Sequence, residues 1–101
     1  MVDGIARVLR TPEDAAQLRD GEILVTTVTN IGWTPVFPRA AAIVTDVGAP
    51  LSHAAIVARE LGIPAVVGCG NATMLVHSGD RIRVDGGHGT VEVLHQPGAS
   101  D

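Results

Sequence analysis

The sequence predicts a single mixed α/β domain, and three observations support this fold class. Several short apolar runs are rich in valine and isoleucine, which is typical of buried strands. One alanine-rich stretch carries both a helix start signal and a helix stop signal. The C-terminal part alternates apolar and polar residues around a glycine-rich turn, as a β-hairpin does. Strands joined partly through a helix and partly by a hairpin indicate a mixed sheet.

The length and composition are those of one compact domain. The chain has 101 residues, of which 46% are hydrophobic and 18% are charged. A chain of this length can bury roughly 60–70% of its unfolded surface, which is enough for a small core. We expect residues 1–95 to form the domain and residues 96–101 to form a frayed tail.

Charge and hydropathy argue against several classes of partner. The net charge is −4 and lysine and arginine are not clustered, which argues against a nucleic-acid surface and against an anionic membrane surface. The apolar runs are too short to cross a bilayer, and the N-terminus lacks the pattern of a signal peptide. The single cysteine, Cys69, cannot form an internal disulfide. The sequence therefore predicts a cytoplasmic protein.

The first part of the chain predicts a short helix, a strand and a loop. Thr11–Leu18 has a capping threonine, a proline at the first helical position and two acidic residues in the first turn. Glu22–Val28 is apolar and β-branched without a helical period, which predicts a buried strand. The following "TNIGWTPVFPRA" is rich in turn residues and predicts a loop with one helical turn around Trp33–Phe37.

The middle of the chain predicts a strand, a turn and a helix. Ala40–Asp46 reads as a second buried strand, and it leads into the turn Gly48-Ala49-Pro50. Ser52 is a natural N-cap for a helix over Ala54–Leu61, which Gly62 and Pro64 then stop. Because apolar side chains cover almost the whole circumference of this helix, we expect it to be largely buried.

The last part of the chain predicts a third strand and a hairpin. Ile63–Gly68 is short and apolar, and Asn71 can cap a helical turn over Ala72–Val76. Arg81–Val84 and Val91–Val93 alternate in polarity on either side of the turn Asp85–Gly89. This pattern predicts a β-hairpin with one face in water.

The candidate functional residue is His53, at the start of the predicted helix. A helix N-terminus offers unpaired N–H groups and a partial positive charge, so it can bind an anion such as a phosphoryl group. Gly48 would let backbone amides approach that anion, and Thr45 and Ser52 could donate hydroxyl hydrogen bonds. An imidazole is also a competent nucleophile for a covalent intermediate. The alternative is that His53 is only a capping or surface residue.

Other chemistries fit the sequence less well. Arg59 lies six residues after His53, about 240° around the helix, so a structural ion pair or carbonyl contact is its expected role. Neighbouring helical residues diverge, so Ser52 and His53 do not form a hydrolase pair, and no G-x-S-x-G motif is present. The four histidines are too dispersed for a recognisable zinc pattern, and we predict no metal site. Cys69 reads as a small buried hydrophobe.

The stretch "TDVGAPLSHAAIVARELGIPAVVG", residues 45–68, resembles the phosphohistidine signature of the phosphoenolpyruvate-utilising enzymes. This family includes pyruvate phosphate dikinase, phosphoenolpyruvate synthase, rifampicin phosphotransferase and enzyme I of the sugar phosphotransferase system. The threonine, the small turn and the Ser/Thr-His pair of the family pattern are matched here by Thr45, Gly48-Ala49 and Ser52-His53. Ala49 departs from the second glycine that is frequent in the family. The likeness covers about Gly4 to Leu94.

The resemblance implies a swivelling β/β/α domain that carries a phosphoryl group on the histidine matching His53, conventionally on Nε2. It also implies two kinds of partner, in cis or in trans: a nucleotide-binding domain of the ATP-grasp type, and a domain that binds phosphoenolpyruvate or another acceptor. We expect Mg²⁺ and ATP or phosphoenolpyruvate on those partners and no cofactor on this domain, because this chain has no glycine-rich nucleotide loop and no room for a barrel.

The leading hypothesis is a phosphoryl carrier, one component of a phosphotransferase that is not active alone. Thr45, Gly48 and Ser52 would bind the phosphoryl group on His53, and Arg59 would support the fold. The alternative is a non-catalytic interaction or regulatory module that keeps the fold without being phosphorylated.

Overall fold

The computed structural model describes residues 1–29, 31–48 and 53–96 of the chain. These residues form a six-stranded sheet with two α-helices and short 3₁₀ helices around it. The strands are β1 (Val2–Val8), β2 (Ile23–Thr26), β3 (Ala42–Thr45), β4 (Ala65–Val66), β5 (Arg81–Asp85) and β6 (Thr90–His95). The α-helices are α1 (His53–Leu61) and α2 (Ala72–Leu75), and the 3₁₀ helices span Pro12–Gln17, Ile31–Trp33 and Phe37–Arg39.

The sheet is mixed, as predicted. Its order is β4-β3-β2-β1-β5-β6. The four strands from β4 to β1 are parallel, whereas β5 is antiparallel to both β1 and β6. A helical crossover joins β3 to β4 and a tight turn joins β5 to β6, which is why both kinds of pairing occur in one sheet.

The sequence analysis did not predict β1, although this strand lies at the centre of the sheet. Asp3, Gly4 and Arg7 interrupt its apolar residues, so neither a continuous run nor a regular alternation is visible. Its place depends on long-range pairing with β2 and β5. The Arg7 side chain also donates two hydrogen bonds to the carboxylate of Glu22 at 3.1 and 2.7 Å.

The core has one part on each face of the sheet. Strands β2 and β3 are buried at every residue, as is typical of central parallel strands covered on both sides. One face packs against α1 and the 3₁₀ segments through a cluster that includes Leu24, Ile43, Trp33, Phe37, Ala54 and Ala58. The other packs against α2 and the hairpin through a cluster that includes Val25, Val44, Val76, Ile82 and Val84.

Helix α1 is buried on one side only, which corrects the expectation that it is buried almost all round. Ala54 and Ala58 are its buried residues, whereas Ile56 and Leu61 are 40% and 45% exposed. The small alanine side chains let the helix lie close to the sheet, while its outer side faces solvent. The predicted stop signal is confirmed: Gly62 has φ of 74°, and the Ile63 N–H donates to the Ala58 carbonyl at 3.0 Å.

Several predicted elements exist with different bounds. The first helix is a 3₁₀ helix, the third strand shortens to Ala65–Val66, and the helical turn near Trp33 is replaced by two 3₁₀ turns on either side of Thr34–Val36. Asn71 precedes α2 without a side-chain capping bond. The hairpin is confirmed over Arg81–Asp85 and Thr90–His95.

Some predicted features lie outside the described residues: Ala49 and Pro50 of the turn, the N-cap Ser52 and all of the tail after Gln96. Within the described part of the chain, no helix has the length and apolar character needed to cross a membrane.

Candidate functional site

His53 is the first residue of α1 and lies half-buried between two threonine hydroxyls. Its Nδ1 atom is 3.0 Å from the Oγ1 atom of Thr29, and its Nε2 atom is 3.3 Å from the Oγ1 atom of Thr34. The imidazole also contacts the ring of Phe37, with ring centroids 5.6 Å apart and an interplanar angle of 58°. Both ring nitrogens therefore have a hydroxyl partner, and one ring edge has an aromatic neighbour.

The segment after β2 forms this environment. Thr29 is buried with 7% exposure, whereas Thr34 is exposed between the two 3₁₀ turns. Trp33 and Phe37, at 2% and 0% exposure, anchor the segment in the core. Buried aromatic side chains thus fix the loop that carries Thr34 to the imidazole.

Thr29, Thr34 and Phe37 were missed by the sequence analysis. The stretch around them has two prolines and a glycine, and it predicts a loop with one helical turn but no site residue. One signal was present: the chain has a single tryptophan and a single phenylalanine, and both lie in this loop. Large aromatic side chains supply much of a core, so their position indicated that the loop packs against the domain.

The predicted phosphate-binding residues have different surroundings. Thr45 is fully buried, and its hydroxyl donates to the Val47 carbonyl at 2.9 Å. Gly48 has φ of 147°, in a region that favours glycine. Ser52 is outside the described residues. The structure thus gives the conformation of Thr45 and Gly48 but not of Ser52. Contact between these residues and a phosphate stays a prediction.

Arg59 lies on the later part of α1 and is exposed. It borders a cavity of about 420 Å³ that is also lined by Gly62, Pro64 and Gly86. His53 is not among the lining residues, so this cavity and the imidazole are separate features of α1. The expected structural role of Arg59 stays a prediction.

The remaining histidines sit in ordinary surface positions. His88 Nδ1 is 2.7 Å from the Asp85 carboxylate in the hairpin turn, His77 Nδ1 is 3.8 Å from that of Asp80, and His95 ends β6. All three are exposed. Among the described residues, no three His, Cys, Asp or Glu side chains are grouped so that they could hold a metal ion.

Cys69 lies between β4 and α2 and is half-buried. Burial, and to a smaller extent the negative charge of Asp46, raises the pKa of its thiol. A thiol with a raised pKa is less often present as the nucleophilic thiolate.

The comparison with protein families matches the part of the chain that contains the site. Residues 18–89 match the family of the PEP-utilising enzyme, mobile domain. The chain belongs to this family. The mobile domain of this chain is also similar to much longer curated proteins. It is 53% identical over 94 residues to a rifampicin phosphotransferase of Bacillus cereus, and 53% identical over 93 residues to a phosphoenolpyruvate synthase of Aquifex aeolicus.

The lengths of these relatives show how the mobile domain occurs in them. The alignments cover 93% and 92% of this chain but only 11% of each relative. The chain thus spans about a ninth of the length of the curated relatives it matches. In those proteins, a region similar to this mobile domain is one part of a much larger polypeptide.

A solved structure supports the fold. The NMR solution structure of Enzyme I (nEIt) superposes with a TM-score of 0.71 and is 36% identical, covering 84% of this chain and 35% of that one. The predicted family and the predicted α/β fold class are therefore confirmed.

Proposed function

We propose that this mobile domain is a phosphoryl carrier and that Nε2 of His53 accepts the phosphoryl group. The observation that carries the proposal is the unequal environment of the two ring nitrogens. Nδ1 lies against the buried hydroxyl of Thr29, whereas Nε2 lies against the exposed hydroxyl of Thr34. Nε2 is thus the nitrogen that an incoming phosphoryl group can reach from solvent.

The proposed reaction uses the neutral imidazole with its proton on Nδ1. This Nδ1–H donates to the Thr29 hydroxyl, so Nε2 carries the lone pair and acts as the nucleophile once the Thr34 hydroxyl rotates aside. Nε2 attacks the phosphorus of the donor, the P–N bond forms, and the bond from phosphorus to the leaving oxygen breaks. The product is an imidazolium that keeps its proton on Nδ1 and carries the phosphoryl group on Nε2. Transfer to an acceptor reverses these steps.

Thr34 has a proposed role in both states of the carrier. Before transfer, its hydroxyl donates to the lone pair of Nε2 across 3.3 Å. A phosphoryl group bonded to Nε2 would take up this space, so the exposed hydroxyl must rotate aside. It is then close enough to donate to a phosphoryl oxygen, which is a charge-assisted and therefore stronger hydrogen bond.

The start of α1 adds electrostatic support to this proposal. The helix runs for nine residues from His53, and its N-terminal amides favour a negative group. We propose that Gly48 and Ser52 bring further donors to this group. Thr45 can contribute by shaping the loop, since its hydroxyl is already bonded to Val47.

The donor and the final acceptor belong to other domains in this proposal. The relatives are about nine times longer than the matched region, which leaves ample chain for such domains in cis. We propose an ATP-grasp type domain with Mg²⁺ and ATP, and a domain that binds phosphoenolpyruvate or another acceptor. The carrier would work with them in the cytoplasm and would have no phosphotransferase turnover alone.

Potassium phosphoramidate tests the proposal without a partner protein, because it transfers its phosphoryl group directly to imidazoles. We expect intact-mass spectrometry to show one fast phosphorylation, and peptide mapping to place it on His53. The phosphohistidine should be labile in acid and stable in base. His53→Ala should lose the fast phase and keep the circular dichroism spectrum, since alanine favours helix.

His88→Ala is the matched control, because His88 is also hydrogen-bonded but lies in the hairpin turn. This variant should keep the fast phase. A His53→Ala protein that is still phosphorylated at the wild-type rate would contradict the assignment of His53. A wild-type protein that shows no fast phosphorylation would favour the non-catalytic module.

A further inference from the structure

A segment distant in sequence is hydrogen-bonded to the residues at the end of β3. This segment, Gly68–Thr73, runs from the end of β4 into the first turn of α2. The Cys69 N–H donates to the Thr45 carbonyl at 3.0 Å, and the Gly70 N–H donates to the Asp46 carbonyl at 2.9 Å. Thr45 at the end of β3 and Asp46 directly after it are therefore held by backbone hydrogen bonds.

The side chain of Asp46 adds the strongest part of this arrangement. Asp46 is only 9% exposed, and its carboxylate accepts a hydrogen bond from the Thr73 N–H at 3.1 Å and another from the Thr73 hydroxyl. Burying a carboxylate costs free energy unless it is hydrogen-bonded, so the two hydrogen bonds from Thr73 offset the burial of Asp46. The reaction proposed above makes no chemical use of this carboxylate.

The residues after β3 are also hydrogen-bonded to the end of β2 and to the segment that leads from β2 to Thr29. The Asp46 N–H donates to the Thr26 carbonyl at 3.2 Å, and the Val47 N–H donates to the Thr27 carbonyl at 2.8 Å. The backbone of Asp46 thus bonds to the chain just before Thr29, and its side chain bonds to α2. Residues 46–48, the described residues between β3 and α1, therefore begin at a position that is held from two sides.

We infer that Asp46 is a positioning residue for His53. It acts by holding the residues after β3 between the start of α2 and the end of β2, the strand that precedes Thr29, which contacts Nδ1 of His53. This inference rests on the proposed function of His53. Without the carboxylate, Asp46 would keep its backbone hydrogen bonds but lose both side-chain hydrogen bonds to Thr73, and we expect the distance from the Thr29 hydroxyl to Nδ1 to vary more. Group transfer is sensitive to such displacements of the reacting atoms.

The test compares graded changes to the pair in the full chain. Asp46→Ala removes both acceptor oxygens, and Thr73→Val removes only the hydroxyl while keeping the N–H. Asp46→Asn is the rescue variant, because its amide oxygen can accept from the Thr73 N–H and its amide nitrogen can donate to the Thr73 hydroxyl. Asp3→Ala is the matched control, since Asp3 on β1 accepts two hydrogen bonds from its register partner Arg83 on β5 and does not contact Thr73.

Two readouts report on His53 itself. The first is the rate of His53 phosphorylation by potassium phosphoramidate, which we expect to fall about tenfold in Asp46→Ala and severalfold in Thr73→Val. The second is the ¹⁵N spectrum of the imidazole together with the NOE between the His53 and Phe37 rings. We expect both NMR features to change in the same two variants. Asp46→Asn and Asp3→Ala should match the wild type in rate and in spectrum.

The outcomes separate this inference from the proposed function. If wild-type His53 is not phosphorylated, the proposed function fails, and the NMR readout still tests the positioning role. If Asp46→Ala and Thr73→Val are folded and keep the wild-type rate and imidazole spectrum, the inference is wrong. It is also wrong if Asp3→Ala changes His53 as much as they do. Thr73→Val keeps the test decisive if Asp46→Ala does not fold.

Discussion

The hydroxyl of Thr29 and the Nδ1 atom of His53 lie 3.0 Å apart, although 24 residues separate them in the sequence. The contact joins the segment after β2 to the start of α1. Because the other ring nitrogen lies by Thr34, the two hydroxyls together define which nitrogen faces the core and which faces solvent.

Replacing Thr29 with valine should shift the tautomer of His53. The valine keeps the shape of threonine but removes the acceptor for the Nδ1 proton, so the proton should move toward Nε2. We expect phosphorylation by phosphoramidate to slow about tenfold, in line with the usual cost of losing one positioned hydrogen bond. Long-range ¹H–¹⁵N spectra measure the tautomer directly. Thr29→Ser should preserve it, and an unchanged tautomer in Thr29→Val would contradict this role.

Replacing Thr34 with valine should slow phosphorylation without changing the tautomer of His53. The proton should stay on Nδ1, because the Thr29 contact is intact. The rate of phosphorylation should nevertheless fall about tenfold, because a hydrogen bond to the phosphoryl oxygens is lost in the transition state. Thr34→Ser should restore the rate. A Thr34→Val protein that reacts at the wild-type rate would remove Thr34 from the proposed mechanism.

Acid should weaken the domain partly through Glu22. Hydrogen bonds from the Arg7 side chain, and then from the Arg19 N–H, lower the pKa of Glu22 below its ordinary value of 4.5, although burial opposes them. The folded state thus binds this proton less readily than the unfolded state. The stabilisation is complete above about pH 4.5 and is lost as the pH falls through the lower folded pKa.

Urea unfolding at several pH values checks this assignment. At pH 7, Glu22→Gln should lower the free energy of unfolding by about 2 kcal/mol. Below pH 4 its deficit should shrink as wild-type Glu22 becomes protonated, and Arg7→Met should show a similar trend. A constant deficit from pH 3 to pH 7 would contradict the sign of the shift.

Thr26 and Thr45 are register partners on β2 and β3. Replacing each with valine should nevertheless change the free energy of unfolding in opposite directions. The Thr26 hydroxyl is buried and has no hydrogen-bond partner among the described residues, whereas the Thr45 hydroxyl donates to Val47. Thr26→Val should raise the free energy of unfolding by about 1 kcal/mol, since it removes an unpaired polar group. Thr45→Val should lower it by about 1 kcal/mol. Thermal unfolding of both variants tests the contrast, and equal losses would contradict it.

Comparing alanine substitutions at Gly68 and Gly70 tests how tightly Gly68 packs against Gly48. Both have positive φ, at 74° and 84°, so alanine is strained at either position. A Cβ atom at Gly68 would lie 2.8 Å from the Gly48 carbonyl oxygen, whereas none of the described atoms lies within 4 Å of one at Gly70. Gly70→Ala should cost about 1 kcal/mol, and Gly68→Ala clearly more. Equal stability losses would show that the close approach to Gly48 has no energetic weight.

The sequence predicted the parts of the fold that depend on local signals. The strand at Ala42–Thr45, helix α1 with its Gly62 stop, and the hairpin all follow from short apolar runs, caps and turn residues. Strand β1 did not, because its polar residues are accommodated by pairing with distant strands. The one-sided burial of α1 was also missed, since an apolar circumference does not say which side meets the sheet.

The site divides in the same way. His53 is predicted as the candidate site because its position at a helix start and its motif are visible in the sequence. Thr29, Thr34 and Asp46 could not be predicted, since their contacts are made between segments that are distant in sequence: the segment after β2 with α1, and the residue after β3 with α2. A threonine near a strand end is common, and only the folded arrangement distinguishes these from Thr45 or Thr26.

The central position of β1 has a consequence for the rate and order of folding. Val2 pairs with Val84 and Gly4 with Ile82, so the middle of the sheet joins residues from distant parts of the sequence. Closing such a long loop costs chain entropy before any contact rewards it, and proteins with many distant contacts fold slowly. During synthesis, β1 would leave the ribosome long before β5. The parallel strands would therefore wait with one side of β1 unpaired, a state in which chaperones or neighbouring chains can bind that open edge.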